Sequence, residues 1–158
     1  MFRTVTAAAI ALVAALPAFA ADIEISDAYA RSSNPRVGGV FFMMRNPSAQ
    51  PVKLVEARSD VARKTELHTH IMQDGVARMR QVDAIEIPAQ GMAALQRGGD
   101  HVMLMGLTAP LEQGTSFPLT LLFDDGTEVV VDVPVDNERQ DRPAGHGGMS
   151  HGQMKKAD

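Results

Sequence analysis

Apolar and polar residues alternate in short runs along the chain from residue 22 to residue 135. A period of two is typical of β-strands that bury one face. Turn-forming residues separate the runs, as at Gln73-Asp74-Gly75 and Asp124-Asp125-Gly126. The pattern predicts an all-β fold, a sandwich or a Greek-key barrel, without an amphipathic helix. Its predicted strands are Ile23–Ala30, Gly39–Arg45, Val52–Ala57, Lys64–Ile71, Val76–Val82, Met92–Gln96, His101–Met105, Leu119–Phe123 and Glu128–Val133.

Both ends of the chain depart from this pattern. Residues 1–20 contain Arg3, a short apolar run and the small-residue ending Ala18-Phe19-Ala20, which predicts a signal peptide cleaved after Ala20 and a periplasmic location. The apolar run is short for a transmembrane helix, so we expect no membrane anchor after cleavage; a retained anchor is the alternative. Residues 136–158 are polar and rich in glycine and charge, and we expect a disordered tail. Residues 21–135 then form one domain.

Composition excludes several classes of function. The chain contains no cysteine, which excludes disulfides, thiol redox chemistry and a cysteine-ligated blue-copper centre. A formal charge of −4 and an aromatic content of 4% are unfavourable for binding nucleic acid. We find no acid/base pair or nucleophile constellation and expect a protein that is not an enzyme.

Soft metal ligands are concentrated between Leu67 and Met105. If strands alternate, His101 and Met103 share one face and the aliphatic residues beside them face the core. A single methionine is usually core filling and a single histidine an ordinary surface residue. Here, however, every histidine of the chain has a methionine within four residues. Imidazole and thioether donors together favour a copper site, because thioether sulfur selects Cu(I) over hard cations.

The spacing of four of these residues resembles the periplasmic copper chaperone PCu(A)C family. Ten residues separate His68 from Met79, twenty-one separate Met79 from His101, and Met103 completes a His-x-Met motif. Flanking segments are also similar to the family, among them Asp27-Ala28-Tyr29-Ala30-Arg31, Gly39-Val40-Phe41-Phe42, Glu66-Leu67-His68 and Glu86-Ile87-Pro88. The resemblance implies a cupredoxin-like fold in which His68, Met79, His101 and Met103 bind Cu(I) and deliver it to an acceptor. The implied acceptor is a cytochrome oxidase subunit or its assembly factor.

Two further groups of ligands remain open. Where many family members have Glu-Met after the first histidine, this chain has Thr69-His70; His70, like Met72, is an auxiliary ligand or a bystander, and for His70 we favour a bystander. The tail carries a second set of donors in glycine-rich sequence, which predicts a secondary site, suited to Cu(II) through its imidazoles, or else a solubilising tail. That set is His146, Met149, His151 and Met154.

Three other functions compete with copper delivery. Periplasmic copper sequestration or resistance would use the same ligands and is the main alternative. A copper enzyme with an N-terminal histidine brace is excluded if cleavage follows Ala20, because neither Ala21 nor Asp22 supplies an imidazole. A structural adhesion module would bind no metal.

Overall fold

The computed structural model describes residues 22–140, which form antiparallel β-structure. Within them ten strands follow one another, and no helix is present. The strands are β1 (Glu24–Asn34), β2 (Val37–Arg45), β3 (Val52–Arg58), β4 (Ala62–Gln73), β5 (Val76–Gln81), β6 (Ile85–Ile87), β7 (Met92–Leu95), β8 (His101–Leu107), β9 (Ser116–Phe123) and β10 (Glu128–Pro134). The all-β prediction is therefore confirmed.

The strands form two sheets that pack face to face. The larger sheet has the order β1-β2-β8-β4-β5, and β7 pairs with the second half of β2. The smaller sheet has the order β10-β9-β3-β6. A parallel bridge between Ala30 and Val135 joins the two sheets where β1 meets the end of β10. Hairpins join β1 to β2, β4 to β5 and β9 to β10, whereas β8 lies between β2 and β4 through long connections, as in a Greek-key arrangement.

The inner faces of both sheets supply a continuous apolar core. Its fully buried side chains include Phe42, Met44, Leu54, Ile87, Val102, Leu104, Leu119, Leu121 and Phe123. Along β8, Val102 and Leu104 are completely buried while Met103 is only partly covered. The predicted alternation of this strand is confirmed, because its aliphatic residues face the core and its histidine and methionines face the opposite side.

Local sequence explains the hairpin between β4 and β5. Asp74 and Gly75 both have positive φ angles, of 53° and 77°, as a two-residue type I′ turn requires. Gln73 and Val76 pair directly on either side of it. The turn fixes the register that later places Met79 opposite His70.

The structure differs from the predicted boundaries at the end of β1, which continues to Asn34, at the start of β9, which begins at Ser116, at β6 and after β10. Sequence periodicity did not predict β6, which is only three residues long. Residues 136–140, at the start of the predicted tail, lie against β1: the Asn137 side chain accepts a hydrogen bond from the Ser32 backbone N–H at 2.9 Å and donates one to the Leu111 carbonyl at 2.9 Å. The predicted signal peptide and residues 141–158 lie outside the described residues. No helix able to cross a membrane occurs in the described part of the chain.

Candidate metal-binding site

The outer face of the larger sheet carries the predicted ligands. His68 on β4 lies directly opposite His101 on β8, and Glu66 lies opposite Met103. On the other side of β4, Met79 of β5 lies opposite His70. Directly opposed residues of antiparallel strands have Cβ atoms about 4.5–5.5 Å apart. Three neighbouring strands thus bring His68, Met79, His101 and Met103 onto one patch, together with His70.

Three imidazoles are grouped around His101. The His70 and His101 ring centroids are 5.2 Å apart, and those of His68 and His101 are 5.9 Å apart. Nδ1 of both His70 and His101 lies within hydrogen-bond distance of the Gly99 carbonyl oxygen, at 3.2 and 3.0 Å. A carbonyl oxygen only accepts, so Nδ1 of each ring donates and Nε2 keeps its lone pair when the ring is neutral. One backbone carbonyl therefore leaves two imidazoles ready to bind a metal through Nε2.

His68 is oriented differently. Its Nε2 lies 2.8 Å from Oε2 of Glu66, and an ionised carboxylate can only accept, so Nε2 donates. Its Nδ1 is buried and has no hydrogen-bond partner. A buried nitrogen without a partner is costly in a protein interior. A metal ion accepting its lone pair would satisfy it.

An open cleft gives access to this patch. It has a volume of about 590 Å³, and its walls include His70, Met79, His101 and Met103, but not His68. Arg31, Arg97 and the β2 segment from Val37 to Gly39 complete the lining with Phe41 and Gly98. Accessibility varies steeply among the donors, because Met79 is 53% exposed whereas His101 is 4% exposed. The cleft offers a way in for an ion and leaves His101 at its floor.

An aromatic wall shields His101 on the β2 side. A Cβ atom on Gly39 would lie 3.0 Å from the Phe41 ring, so the ring lies against the glycine where any side chain would intrude. The Phe41 ring centroid is 6.1 Å from that of His101 and 5.1 Å from that of Tyr29. The guanidinium of Arg139 lies over Tyr29, 4.1 Å from its ring centroid. Arg139 also pairs with Asp27, so the start of the C-terminal segment is held at this face.

Charge around the site follows from burial and pairing. Burial lowers the pKa of His101, and this effect is larger than that of the hydrogen bond to Gly99, which raises the pKa. The ring therefore favours the neutral form that binds metals. The hydrogen bond from His68 lowers the pKa of Glu66, and Lys64 lowers it further. The site thus combines a neutral buried imidazole with an ionised carboxylate, Glu66.

The donor set fits a soft ion. Within residues 22–140, no group of three or more histidine, aspartate or glutamate side chains is arranged so that it could hold a metal ion. The patch adds thioether sulfur from Met79 and Met103 to its imidazoles. Imidazole and thioether donors together suit Cu(I) and are poor ligands for Mg²⁺ or Ca²⁺, which require oxygen.

The remaining candidate ligands lie in different surroundings. His70, which sequence reasoning favoured as a bystander, lines the cleft. Met72, near the end of the β4–β5 hairpin, is 72% exposed. The tail donors lie outside the described residues. Sequence reasoning assigned no role to the Gly99 carbonyl or to Glu66, although alternation along β4 already places Glu66 on the face of His68.

Comparisons with known proteins agree with this picture. The LpqE-like family model matches residues 23–135. A protein of Leifsonia xyli subsp. xyli named as a lipoprotein, Lxx21020, is 34% identical over 114 residues, which cover 72% of this chain and 69% of that protein. The solution structure of CuI-DR1885 from Deinococcus radiodurans is 35% identical, with a TM-score of 0.58 over 80% of this chain and 83% of that chain.

A more distant structure is similar in fold. The copper-bound PCuAC domain from PmoF2 has a TM-score of 0.62 at 22% identity, over 75% of this chain and 96% of that domain. The resemblance to PCu(A)C domains inferred from the ligand spacing is confirmed by these structures, and so is the cupredoxin-like fold class.

Proposed function

Since this chain belongs to the LpqE-like family of PCu(A)C-type domains, we propose that it is an exported copper chaperone that carries Cu(I) and passes it to an acceptor protein. The observation that carries the proposal is the cleft on the outer sheet face, where imidazole and thioether donors from β4, β5 and β8 meet. The copper-bound state of two structural neighbours supports the choice of metal.

The proposed ligands of Cu(I) are His68, Met79, His101 and Met103. His101 is buried and its Nδ1 is hydrogen-bonded, so it forms the fixed part of the site. Met79 is largely exposed on an edge strand, so it is the ligand that an incoming acceptor can replace most easily. Cu(I) is d¹⁰ and tolerates three or four ligands, which lets an acceptor ligand bind before a donor ligand leaves. The ion remains Cu(I) throughout, and no free copper is released.

For His70 we propose an auxiliary role rather than the bystander role that the sequence favoured. It lies across from Met79, shares the Gly99 carbonyl with His101 and lines the cleft. These contacts support an auxiliary role in capture or release. Cu(I) titration of His70→Gln tests it: we expect weaker binding than in the native protein, and unchanged affinity would make His70 a bystander.

The acceptor we propose is the copper centre of cytochrome oxidase, reached through an oxidase subunit or its assembly factor in the periplasm. Signal-peptide cleavage after Ala20 would release the protein there, and N-terminal sequencing of the exported protein checks that position. A relative named as a lipoprotein supports export.

One experiment separates delivery from sequestration. The Cu(I)-loaded native protein is mixed with an apo acceptor subunit, and copper on each protein is measured after separation. Delivery predicts transfer, whereas sequestration predicts that copper remains on this chain. Met103→Ala should fail to load, while Met92→Ala is the matched control, because Met92 is 56% exposed on β7 and does not line the cleft. X-ray absorption of the loaded protein should show nitrogen and sulfur neighbours, and a first shell without sulfur would refute the ligand set.

A second site in the tail, formed by His146, Met149, His151 and Met154, is proposed for Cu(II). The test compares the full chain with a chain truncated after Gln140, which keeps the segment held against β1. Cu(II) uptake should fall steeply between about pH 7 and 5 only in the full chain, because imidazole must lose its proton to bind. Equal uptake by both proteins would rule this site out.

A further inference from the structure

Glu66 is a buried carboxylate inside the ligand patch. Its side chain is 8% exposed, and it lies opposite Met103 and two residues before His68 on the same face of β4. Acidic side chains are almost never this buried unless they are paired. Here Oε2 contacts Nε2 of His68 at 2.8 Å, and Oε1 pairs with the ammonium of Lys64. The carboxylate is therefore held in place from both sides.

We propose that Glu66 is a positioning residue that directs His68 to bind copper through Nδ1. By accepting a hydrogen bond from Nε2–H, the carboxylate leaves the only imidazole lone pair on Nδ1, the atom that is buried without a partner in the structure. His101 has the opposite arrangement, since its Nδ1 donates to Gly99 and its Nε2 is available. The two predicted histidine ligands are thus set in opposite tautomers by two different acceptors.

The carboxylate also supplies charge. Imidazole and thioether are neutral ligands, so a Cu(I) ion bound to four of them keeps its full positive charge. Glu66 places a negative charge one hydrogen bond away from a ligand without occupying a coordination position. Lys64, whose side chain is 67% exposed, offsets that charge only from the solvent side. Hydrogen-bonded carboxylates of this kind orient metal-binding histidines, and their loss typically weakens metal binding by about 10–100-fold.

This inference rests on the proposed copper site, but its first test needs no copper. Nitrogen NMR of the metal-free protein at about pH 8, where an ordinary imidazole is neutral, reports which ring nitrogen carries the proton. We expect Nε2–H at His68 and Nδ1–H at His101. In Glu66→Gln the His68 ring should lose its single tautomer, while His101 stays unchanged. An Nδ1–H tautomer at His68 in the native protein would overturn the inference.

The second test identifies the bound nitrogen. Ag(I) is a soft d¹⁰ ion like Cu(I), and its nuclei couple to a directly bonded ¹⁵N nucleus. Coupling should appear at Nδ1 of His68 and at Nε2 of His101. Cu(I) affinity should fall about 10–100-fold in Glu66→Gln, while the control variant at an exposed glutamate, Glu86→Gln, remains within a few-fold of the native value. Thermal unfolding of each variant shows whether the fold is retained.

The outcomes separate this inference from the copper function. Tight Cu(I) binding with silver coupled to Nε2 of His68, or affinity unaffected by Glu66→Gln, would overturn the role of Glu66 and leave the chaperone proposal standing. Failure of the native protein to bind Cu(I) or Ag(I), with the predicted tautomers in place, would refute the chaperone proposal and the metal-directing role with it.

Discussion

Neighbouring residues of β8 should have opposite effects on stability and on copper binding. Leu104 is completely buried, and replacing a buried leucine with alanine costs about 2–5 kcal/mol. Its cross-strand neighbour Gly38 has no side chain to fill the space, and a Cβ atom there would lie 3.7 Å from Leu104 Cδ1. The cavity can therefore collapse little, so we expect Leu104→Ala to cost about 3–4 kcal/mol, in the upper part of that range. For a domain of this size, this loss lowers Tm by about 10–20 °C.

Met103 should respond differently. It is only partly buried on the opposite face, so Met103→Ala should cost about 1 kcal/mol, close to the typical cost of a single substitution. It should nevertheless abolish tight Cu(I) binding, whereas Leu104→Ala should retain it below its lowered Tm. Urea unfolding of the metal-free variants gives the two costs, and Cu(I) titration with a competing chelator gives the affinities. A larger stability loss in Met103→Ala than in Leu104→Ala would show that the assigned faces of β8 are reversed.

Three further predictions concern the surroundings of the cleft. Burial lowers the pKa of His101 in the folded protein, so as pH falls the unfolded chain takes up a proton on this ring before the folded chain does. The stability of the metal-free protein should therefore fall as pH drops below about 6.5. Urea unfolding across pH should show a weaker decline in His101→Gln. Gly39→Ala should cost about 1–3 kcal/mol and shift the NMR signals of the Phe41 ring, because the new methyl group would lie 3.0 Å from that ring. Unchanged chemical shifts of the ring would contradict the contact. Arg139→Ala should cost about 0.5–1 kcal/mol through the lost cation–π contact with Tyr29, and thermal unfolding at the native Tm would show that this contact contributes nothing.

Strand content was predictable from sequence because alternation is a local signal. Nine of the strands were expected close to their observed positions, and β8 shows why: its alternating aliphatic and ligand residues can be assigned to two faces without knowing any partner strand. The strand β6 was missed because Ile85–Ile87 is too short to show a period. Its place in the smaller sheet depends on pairing with β3, which is a long-range contact.

The identity of the candidate ligands could be predicted from the sequence, but their arrangement in space could not. Ligand type and spacing indicated which histidines and methionines matter, but the partners of each imidazole depend on strand register. His70 and His101 share the Gly99 carbonyl only because β4 and β8 are aligned with His68 opposite His101. The same register places Glu66 beside both His68 and Met103. Alternation along β4 places Glu66 on the face of His68, but no local pattern in the sequence specifies the pairing with Met103 or the shared carbonyl.

The edge position of β5 has a consequence for how long copper stays bound. Every residue of β5 is exposed, and among the strands of residues 22–140 it pairs only with β4, at the end of the larger sheet. Segments with few buried contacts open locally at a much lower free energy than the whole domain unfolds. We therefore expect backbone amides of β5 to exchange with solvent faster than those of β8. Met79 lies on this strand, so Met79 can detach from the metal without opening of the core. We therefore expect the metal to stay bound for a shorter time than the domain stays folded.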